Sequence, residues 1–295
     1  MKQLLLLLLF IPFISLSQIE GKQHDQLILR GATIINSTGA PPLGPVDIVI
    51  EKNIITRIQN VGYPGVPINE NRRPKLSTNG VEIDCEGSYI LPGFIDTHGH
   101  IGGRSQGASP DYVFKLWMAH GVTTIREPGG SLSHKLKLEL KNKSKKNTII
   151  APRIYAFSTF NSRLKSPEEA RDWVRENAKK GSDGIKFFGA APDIMQAAIE
   201  ENKNLGLRST SHHAQLNVVR WNVLNSARAG LNSMEHWYGL PEALFSDRII
   251  QDYPSDYNYQ NEQHRFEQAG KLWKQAAKPF SEHWNNVMNL SLIHI

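Results

Sequence analysis

A single cysteine, Cys85, stands in a chain of 295 residues. It cannot close an internal disulfide, so a disulfide-stapled mini-protein is excluded, and it cannot supply a thiolate cluster. Any metal site must therefore be built from His, Asp, Glu or a modified Lys. Long apolar runs are equally scarce. The stretch from Leu4 to Ile14 is 11 residues long, short of the roughly 20 that a membrane helix needs, and no later stretch is more apolar. Positive charge is also thin over most of the chain. Of the net +6, a local +5 falls between Lys135 and Lys146, where six lysines stand against Glu139. That stretch reads as one exposed surface helix, a solvated face with no aromatic residues between its lysines, and not as a nucleic-acid groove. With 40% hydrophobic and 21% charged residues, the composition is that of an ordinary globular protein.

What is present begins with a targeting segment. Lys2, the apolar run and the small residues Ser15-Leu16-Ser17 have the layout of a secretory signal peptide, with cleavage expected after Ser17. Residues 1–17 are thus expected to be removed and the protein exported, periplasmic or secreted. No cysteine stands directly after the site, so a lipid anchor is not expected. At the other end, Leu290-Ser291-Leu292-Ile293-His294-Ile295 reads as translated transposase adapter. Residues 290–295 are accordingly expected to be an adapter-derived tail, and the natural protein to continue beyond Asn289.

Between these ends two textures meet. Residues 18–92 carry short β-rich runs, Leu27 to Leu29, Thr33 to Ile35, Val46 to Glu51, Ile54 to Ile58 and Val81 to Asp84, separated by Gly, Pro and Asn. This predicts an antiparallel module with tight turns. Residues 93–289 alternate short apolar strands with longer helical segments, as βα units around a parallel sheet do. Six such units can be counted, with strands near Ile95, Val122, Ile149, Gly184, Leu207 and Leu231. The expected fold class is α/β.

The chemistry concentrates at the starts of these units. Leu91-Pro92-Gly93-Phe94-Ile95-Asp96-Thr97-His98-Gly99-His100 places two imidazoles two residues apart, on one side of a strand. Lys186 lies in a short strand beside Phe187 and Phe188, where an unpaired ammonium is costly to bury. From Lys186 to His213 is 27 residues and from His213 to His236 is 23, about one βα unit each, so the three fall at equivalent ends of successive strands. His212 and His213 cannot both face the barrel interior. His120, His134, His264 and His283 lack such context and are expected on the surface or in helices.

With these motifs the chain resembles the amidohydrolase superfamily, in particular its imidazolonepropionase-like and Xaa-Pro dipeptidase-like branch, over nearly all of residues 26 to 250. The resemblance implies a (β/α)8 TIM-type barrel, of which about six units are present, flanked by a β-sandwich module. It also implies metal ligands at His98, His100, Lys186, His213 and His236. Lys186 matches the family's carbamylated bridging lysine, and His213 is preferred over His212 because His213-Ala214-Gln215 continues the family's pattern. The implied cofactor is one or two divalent metal ions, zinc being expected, and the implied partner is a small-molecule amide or dipeptide. The implied activity is hydrolysis of C–N bonds by metal-activated water. Its proton-handling aspartate belongs to an eighth strand that this chain does not contain. A mononuclear deaminase and a non-catalytic barrel binding protein are the alternatives. Arg126, Glu127, Gln215 and Tyr238 are candidates for substrate contact or support.

Overall fold

The computed structural model describes residues 24–290. The expected signal segment 1–17 and residues 291–295 of the expected tail lie outside the described residues. Two compact units divide between Pro92 and Gly93, where the sequence texture changes.

The first unit is one five-stranded sheet. β1 (Gln26–Ile34), β2 (Leu43–Glu51) and β3 (Ile54–Asn60) form an antiparallel meander, while β4 (Val81–Asp84) and β5 (Tyr89–Ile90) run parallel to β1 on its other side. The expected all-antiparallel module is therefore a mixed sheet. The long connection from Val61 to Gly80 lets the chain re-enter in parallel, which a tight hairpin cannot do. Two of the expected runs fuse into β1 across a register shift between Leu29 and Ala32. Gly31 sits there at φ 72°, and its N–H donates to Asp47 Oδ1 at 2.8 Å. Asp47 is fully buried and also pairs with Arg30 Nη1 at 2.9 Å, so the irregularity is pinned by a neutralised carboxylate. Ile28, Ala32, Val46 and Ile48 form the apolar face.

The second unit is a six-stranded parallel sheet wrapped by helices. Its strands are β6 (Phe94–Asp96), β7 (Val122–Glu127), β8 (Arg153–Thr159), β9 (Gly184–Phe187), β10 (Arg208–His212) and β11 (Ser233–Glu235), paired in chain order. The crossovers carry α1 (Pro110–Ala119), α2 (His134–Lys145), α3 (Pro167–Lys180), α4 (Pro192–Asn204) and α5 (Val223–Ala229). After β11 come α6 (Leu240–Ala243), α7 (Glu262–Lys271) and α8 (Glu282–Asn289). The six βα units read from the sequence are all present.

Local chemistry sets the helix ends. Ser166 caps α3 by accepting from Glu169 N, Pro167 opens its first turn, and Gly181 closes it at φ 97°. Ile185 and Phe187 of β9 meet Ala170, Val174, Met195, Ala198 and Ile199 in the main helix-facing core. The alternate residue, Lys186, is left facing inward.

The lysine-rich helix α2 departs from its expected solvated face. Lys137 is only 2% exposed, and its Nζ donates to the Phe157 carbonyl at 2.9 Å. Lys141 Nζ reaches the Gly181 carbonyl at 3.0 Å and Asp183 at 2.7 Å. Lys137 and Lys141 are four apart and share a face, so these two lysines tie α2 to the sheet while Lys143 pairs along the surface with Glu139.

Gly184 starts β9 with no room beside it. A Cβ there would stand 2.3 Å from the Arg208 carbonyl oxygen and 2.5 Å from Phe157 Cζ. Gly184→Ala is expected to push β9 and β10 apart and to destabilise the second unit by about 1–3 kcal/mol, read as a lowered urea midpoint.

Candidate active site

Strand parity decides which side chains enter the barrel. In β10, Thr210 and His212 face inward, while Ser209 turns outward, its backbone N–H held at 2.8 Å by Asn232 Oδ1. Thr210 stands in register with Lys186 of β9. Lys186 is 2% exposed, with Nζ 5.4 Å from the Phe188 ring centroid. Burial lowers its ammonium to a pKa of about 8, and the neighbouring Arg126 adds to this while Glu235 and Glu127 oppose it.

His98 and His100 lie just past β6, in a turn that Asp96 holds by accepting from His98 N at 2.8 Å. Their rings meet edge to face at 5.1 Å. Each is oriented through Nδ1 by a buried carboxylate. His98 donates to Glu235 Oε2 at 2.5 Å, and His100 donates to Glu127 Oε1 at 3.1 Å. An ionised carboxylate only accepts, so Nδ1 carries a proton in both rings, and in the neutral tautomer this selects, Nε2 is the lone-pair nitrogen.

Both carboxylates are themselves fixed. Glu127, 1% exposed, accepts from Ile101 N at 2.7 Å, from Gly129 N at 3.0 Å and from Gly130 N. Glu235, at the far strand of the sheet, accepts from Thr210 Oγ1 and from Arg126 Nη2 at 2.5 Å. Arg126 also donates to Ser233 Oγ at 2.9 Å and to the Thr97 carbonyl. Burial alone would raise the Glu235 pKa, but the bonds from His98 and Thr210 and the charges of Lys186 and Arg126 outweigh it and hold it at about 2.

The structure reverses the expected assignment of the two adjacent histidines. His212 is the one among the imidazoles: its ring lies 5.0 Å from His236 and 4.9 Å from Tyr238, and its buried Nε2 has no hydrogen-bond partner. His213 points the other way. Its Nε2 bonds to Ser226 Oγ on α5 at 2.8 Å, and its ring borders an outer apolar cavity of about 340 Å³ with Val223, Leu231 and Leu240. The physical cause is the two-residue period of β10, in which Thr210 and His212 share the inner face.

His236 joins the cluster by a different route. It and Trp237 adopt left-handed backbone at φ 59° and 57°, an uncommon conformation for such residues. This kink ends β11 and lets the successive residues Glu235 and His236 both serve one side. The His236 ring lies 4.6 Å from that of His98. Burial is the main cause that lowers its pKa to about 4, and likewise lowers that of His212 to about 3, so both stay neutral and ligand-competent near pH 7.

Four of the five expected positions, His98, His100, Lys186 and His236, therefore surround one inner space with His212, and His213 does not. Glu235, which orients His98, was not anticipated. Its signal was the His98 partner it supplies from the opposite end of the six-stranded sheet, which no local spacing displays. Tyr238 is 1% exposed against His212, and Gln215 is 3% exposed with both amide atoms unpaired. His134, the first residue of α2 and so in a helix as expected, is half-buried against Ser158 and Ser182.

The donor set fits a divalent metal. Imidazole nitrogens with carboxylate-locked partners, an unpaired buried Nε2 on His212 and a buried inward lysine are the chemistry such an ion requires. Among the described residues, no group of three or more His, Cys, Asp or Glu side chains is placed so that it could hold a metal ion, so the fit is one of donor type and not of geometry.

No family model matches the chain. Over 105 residues, 36% of its length, it is 50% identical to adenine deaminase 2 of Desulfotalea psychrophila, a stretch that is 15% of that relative. The chain spans between 15% and 27% of the curated relatives it matches. Among solved structures, a prolidase complexed with N-methylphosphonate-L-proline superimposes with TM-score 0.56 at 16% identity, over 90% of this chain and 76% of that one. Enamidase, described as a member of the amidohydrolase superfamily, gives TM-score 0.53 at 16% identity, over 72% and 57%. In fold, the described residues are thus similar to these solved structures, one of which is described as a member of the amidohydrolase superfamily.

Proposed function

We propose that this chain carries the metal-binding half of a hydrolase that cleaves C–N bonds in small amides. The observation that supports this most directly is the ring of inward imidazoles, His98, His100, His212 and His236, gathered around Lys186 at the ends of parallel strands. Strand ends of a parallel barrel are where catalytic groups collect. A divalent ion held there, with zinc suited to such a donor set, would acidify a water and polarise the amide carbonyl.

The protein's own contributions follow from the geometry. Glu235 and Glu127 hold His98 and His100 in the tautomer that leaves Nε2 free. Arg126 anchors Glu235 and so sets the position of His98. Lys186, lowered to about 8 by burial, has an appreciable neutral fraction at pH 7–8. The neutral amine is the form that adds to carbon dioxide, releasing a proton and leaving a carbamate oxygen as an anionic ligand. In that form Lys186 would supply the anionic oxygen ligand that a two-ion site calls for. The local identity to an adenine deaminase favours a second reading, a one-metal deaminase in which Lys186 stays an amine. The signal-like residues 1–17 support an exported protein. Among the described residues no helix is long and apolar enough to cross a membrane.

The test is metal content and product release measured together. Protein loaded with zinc is expected to retain close to two ions per chain, falling to about one in Lys186→Ala. A panel of N-acyl amino acids, dipeptides and adenine, scored separately for released amine and ammonia, distinguishes the two hydrolytic readings. A chain that retains no metal, and whose zinc titration is unchanged by His98→Ala, would overturn both.

A further inference from the structure

A second polar cluster lies on the helix-facing side of the parallel sheet. Its members are His134 at the start of α2, Ser158 in β8, Asn177 in α3 and Ser182 just after α3. By strand parity Ser158 shares its side of β8 with Ile154 and Ala156, which belong to the helix-facing core. Ser158, Asn177 and Ser182 are all buried, and His134 is half-buried.

Proton counting fixes the direction of each bond. Asn177 Nδ2 donates to the Trp173 carbonyl at 2.8 Å, which turns Oδ1 toward Ser158. A carbonyl oxygen only accepts, so the one proton of Ser158 goes to Asn177 Oδ1, at 2.9 Å. Ser182 Oγ, 2.5 Å from Ser158 Oγ, must then donate to it. With both hydroxyl protons spent, His134 Nε2, 3.0 Å from Ser182 Oγ, is the donor, and Nδ1 carries the lone pair. Ser158 Oγ, 3.1 Å from Nε2 and 3.2 Å from Nδ1, presents only lone pairs to the ring. The chain therefore runs one way, from a neutral imidazole to the Trp173 carbonyl. It excludes a serine nucleophile, since His134 accepts a proton from neither hydroxyl.

The surroundings favour the neutral ring. Around it stand Lys137 and Lys141 of its own helix and Lys180 of α3, while β8 contributes the Ser158 hydroxyl and the Phe157 carbonyl that Lys137 takes. Asp183 is committed to Lys141 at 2.7 Å and Glu176 to Lys180 at 2.6 Å. Burial first, and then the three lysine charges, lower the His134 pKa.

The chain anchors the start of α2, and the residues just before it, 128–133, lead back to the imidazole cluster. Gly129 N and Gly130 N both donate to Glu127 Oε1, the atom that also receives His100 Nδ1. Gly129 runs so close to β8 and β9 that a Cβ there would stand 2.6 Å from Thr159 Oγ1 and 3.5 Å from Lys186 Cγ. His134 is thus the fixed far end of a short loop whose near end grips Glu127.

We propose that His134 is a positioning residue for the imidazole cluster: its hydrogen-bond chain to Ser182, Ser158 and Asn177 holds loop 128–133 in the path that seats Glu127 against His100. A protonated ring would set a fourth positive charge among the three lysines, so the loop is expected to loosen on acidification. The consequence for catalysis rests on reading the imidazole cluster as the hydrolytic centre; the positioning itself does not.

The test is amide hydrogen exchange by NMR on the metal-free full chain. At pH 7, His134→Leu is expected to speed exchange at Gly129 and Gly130 by roughly tenfold, the worth of a lost hydrogen bond, while Ile185 and Phe187 in β9 stay as in wild type. His134→Gln, which keeps a neutral donor, is expected to stay within about threefold of wild type. An equal rise at all four amides in His134→Leu would mark a general loss of stability and overturn the positioning role, as would no rise at the two glycines. Wild type alone gives a second reading should a variant fail to fold. The ring-proton titration of His134 and the amide shift of Gly130 are expected to share one midpoint below 6.5, and separate midpoints overturn the proposal. If the exchange pattern holds in a chain that takes up no zinc, the positioning stands and the hydrolytic reading fails.

Discussion

His212→Ala is expected to weaken zinc binding by roughly 100-fold or more, while His213→Ala leaves zinc affinity within about threefold of wild type. Even the residues that merely orient a metal ligand are worth about 10–100-fold in affinity, so loss of a ligand sets a higher figure. His213 is expected to report elsewhere. It packs outside the sheet against Ser226 and borders the 340 Å³ apolar cavity, so truncation enlarges an existing void and leaves the Ser226 hydroxyl with Trp221 Nε1 alone. That is expected to cost about 2–4 kcal/mol in a urea melt. Competition with a chromophoric chelator measures the first quantity and denaturant titration the second. The reverse pattern, with zinc lost in His213→Ala and kept in His212→Ala, would show that the strand is twisted by one residue from the register described.

Stability of the metal-free chain is expected to fall steeply on the acid side. Two kinds of group act in the same direction. His212 and His236 have folded pKa values near 3 and 4, below the ordinary value of about 6.5. As pH drops below 6.5 the unfolded chain takes up protons that the folded chain refuses, so stability declines until the folded values are passed. Glu235 has a folded pKa near 2 against 4.5. Its contribution is complete above 4.5 and is lost as pH falls toward 2, amounting to no more than about 3 kcal/mol. Urea midpoints are therefore expected to fall slightly from pH 8 to about 6.5, as Lys186 completes its protonation, and to decline more steeply from there downward. Glu235→Gln is expected to lower the midpoint at pH 7 and to flatten the limb below pH 4.5. A midpoint that stays constant down to pH 4 would contradict the burial of these imidazoles.

Much of this arrangement was legible because it repeats. The alternation of short apolar strands with capped helices exposed six βα units, and Ser166-Pro167-Glu168-Glu169 marked the start of α3 by its chemistry alone. His98, His100, Lys186 and His236 were found because phase along the chain translates into position at strand ends. Where sequence reasoning failed, the missing information was orientation. The choice between His212 and His213 turned on parity, and a one-residue error in a strand's phase moves a side chain to the opposite face. Glu235 was hidden for the complementary reason. Adjacent strand residues should face apart, and only the left-handed kink at His236 and Trp237 allows Glu235 and His236 to act together. Lys137 was misread because a run of lysines gives no sign that one of them finds a carbonyl beneath the helix. In the first unit, parallel pairing of β4 depended on the path of a long connection, which composition does not encode.

The bond between His98 and Glu235 joins residues 137 positions apart, and those from Arg126 to Ser233 and Glu235 span 107 and 109. Contacts of such sequence separation are the slowest to form, since the intervening chain must be ordered before they are rewarded. During synthesis from the N-terminus, His98 leaves the ribosome long before its orienting carboxylate exists. The first imidazole pair therefore spends most of translation as a loose, unpartnered motif, and the centre closes in one late step when β11 is laid against β10. A ring-nitrogen chemical shift at His98 would serve as a clock for that step, reporting completion of the sheet from a residue made near its beginning.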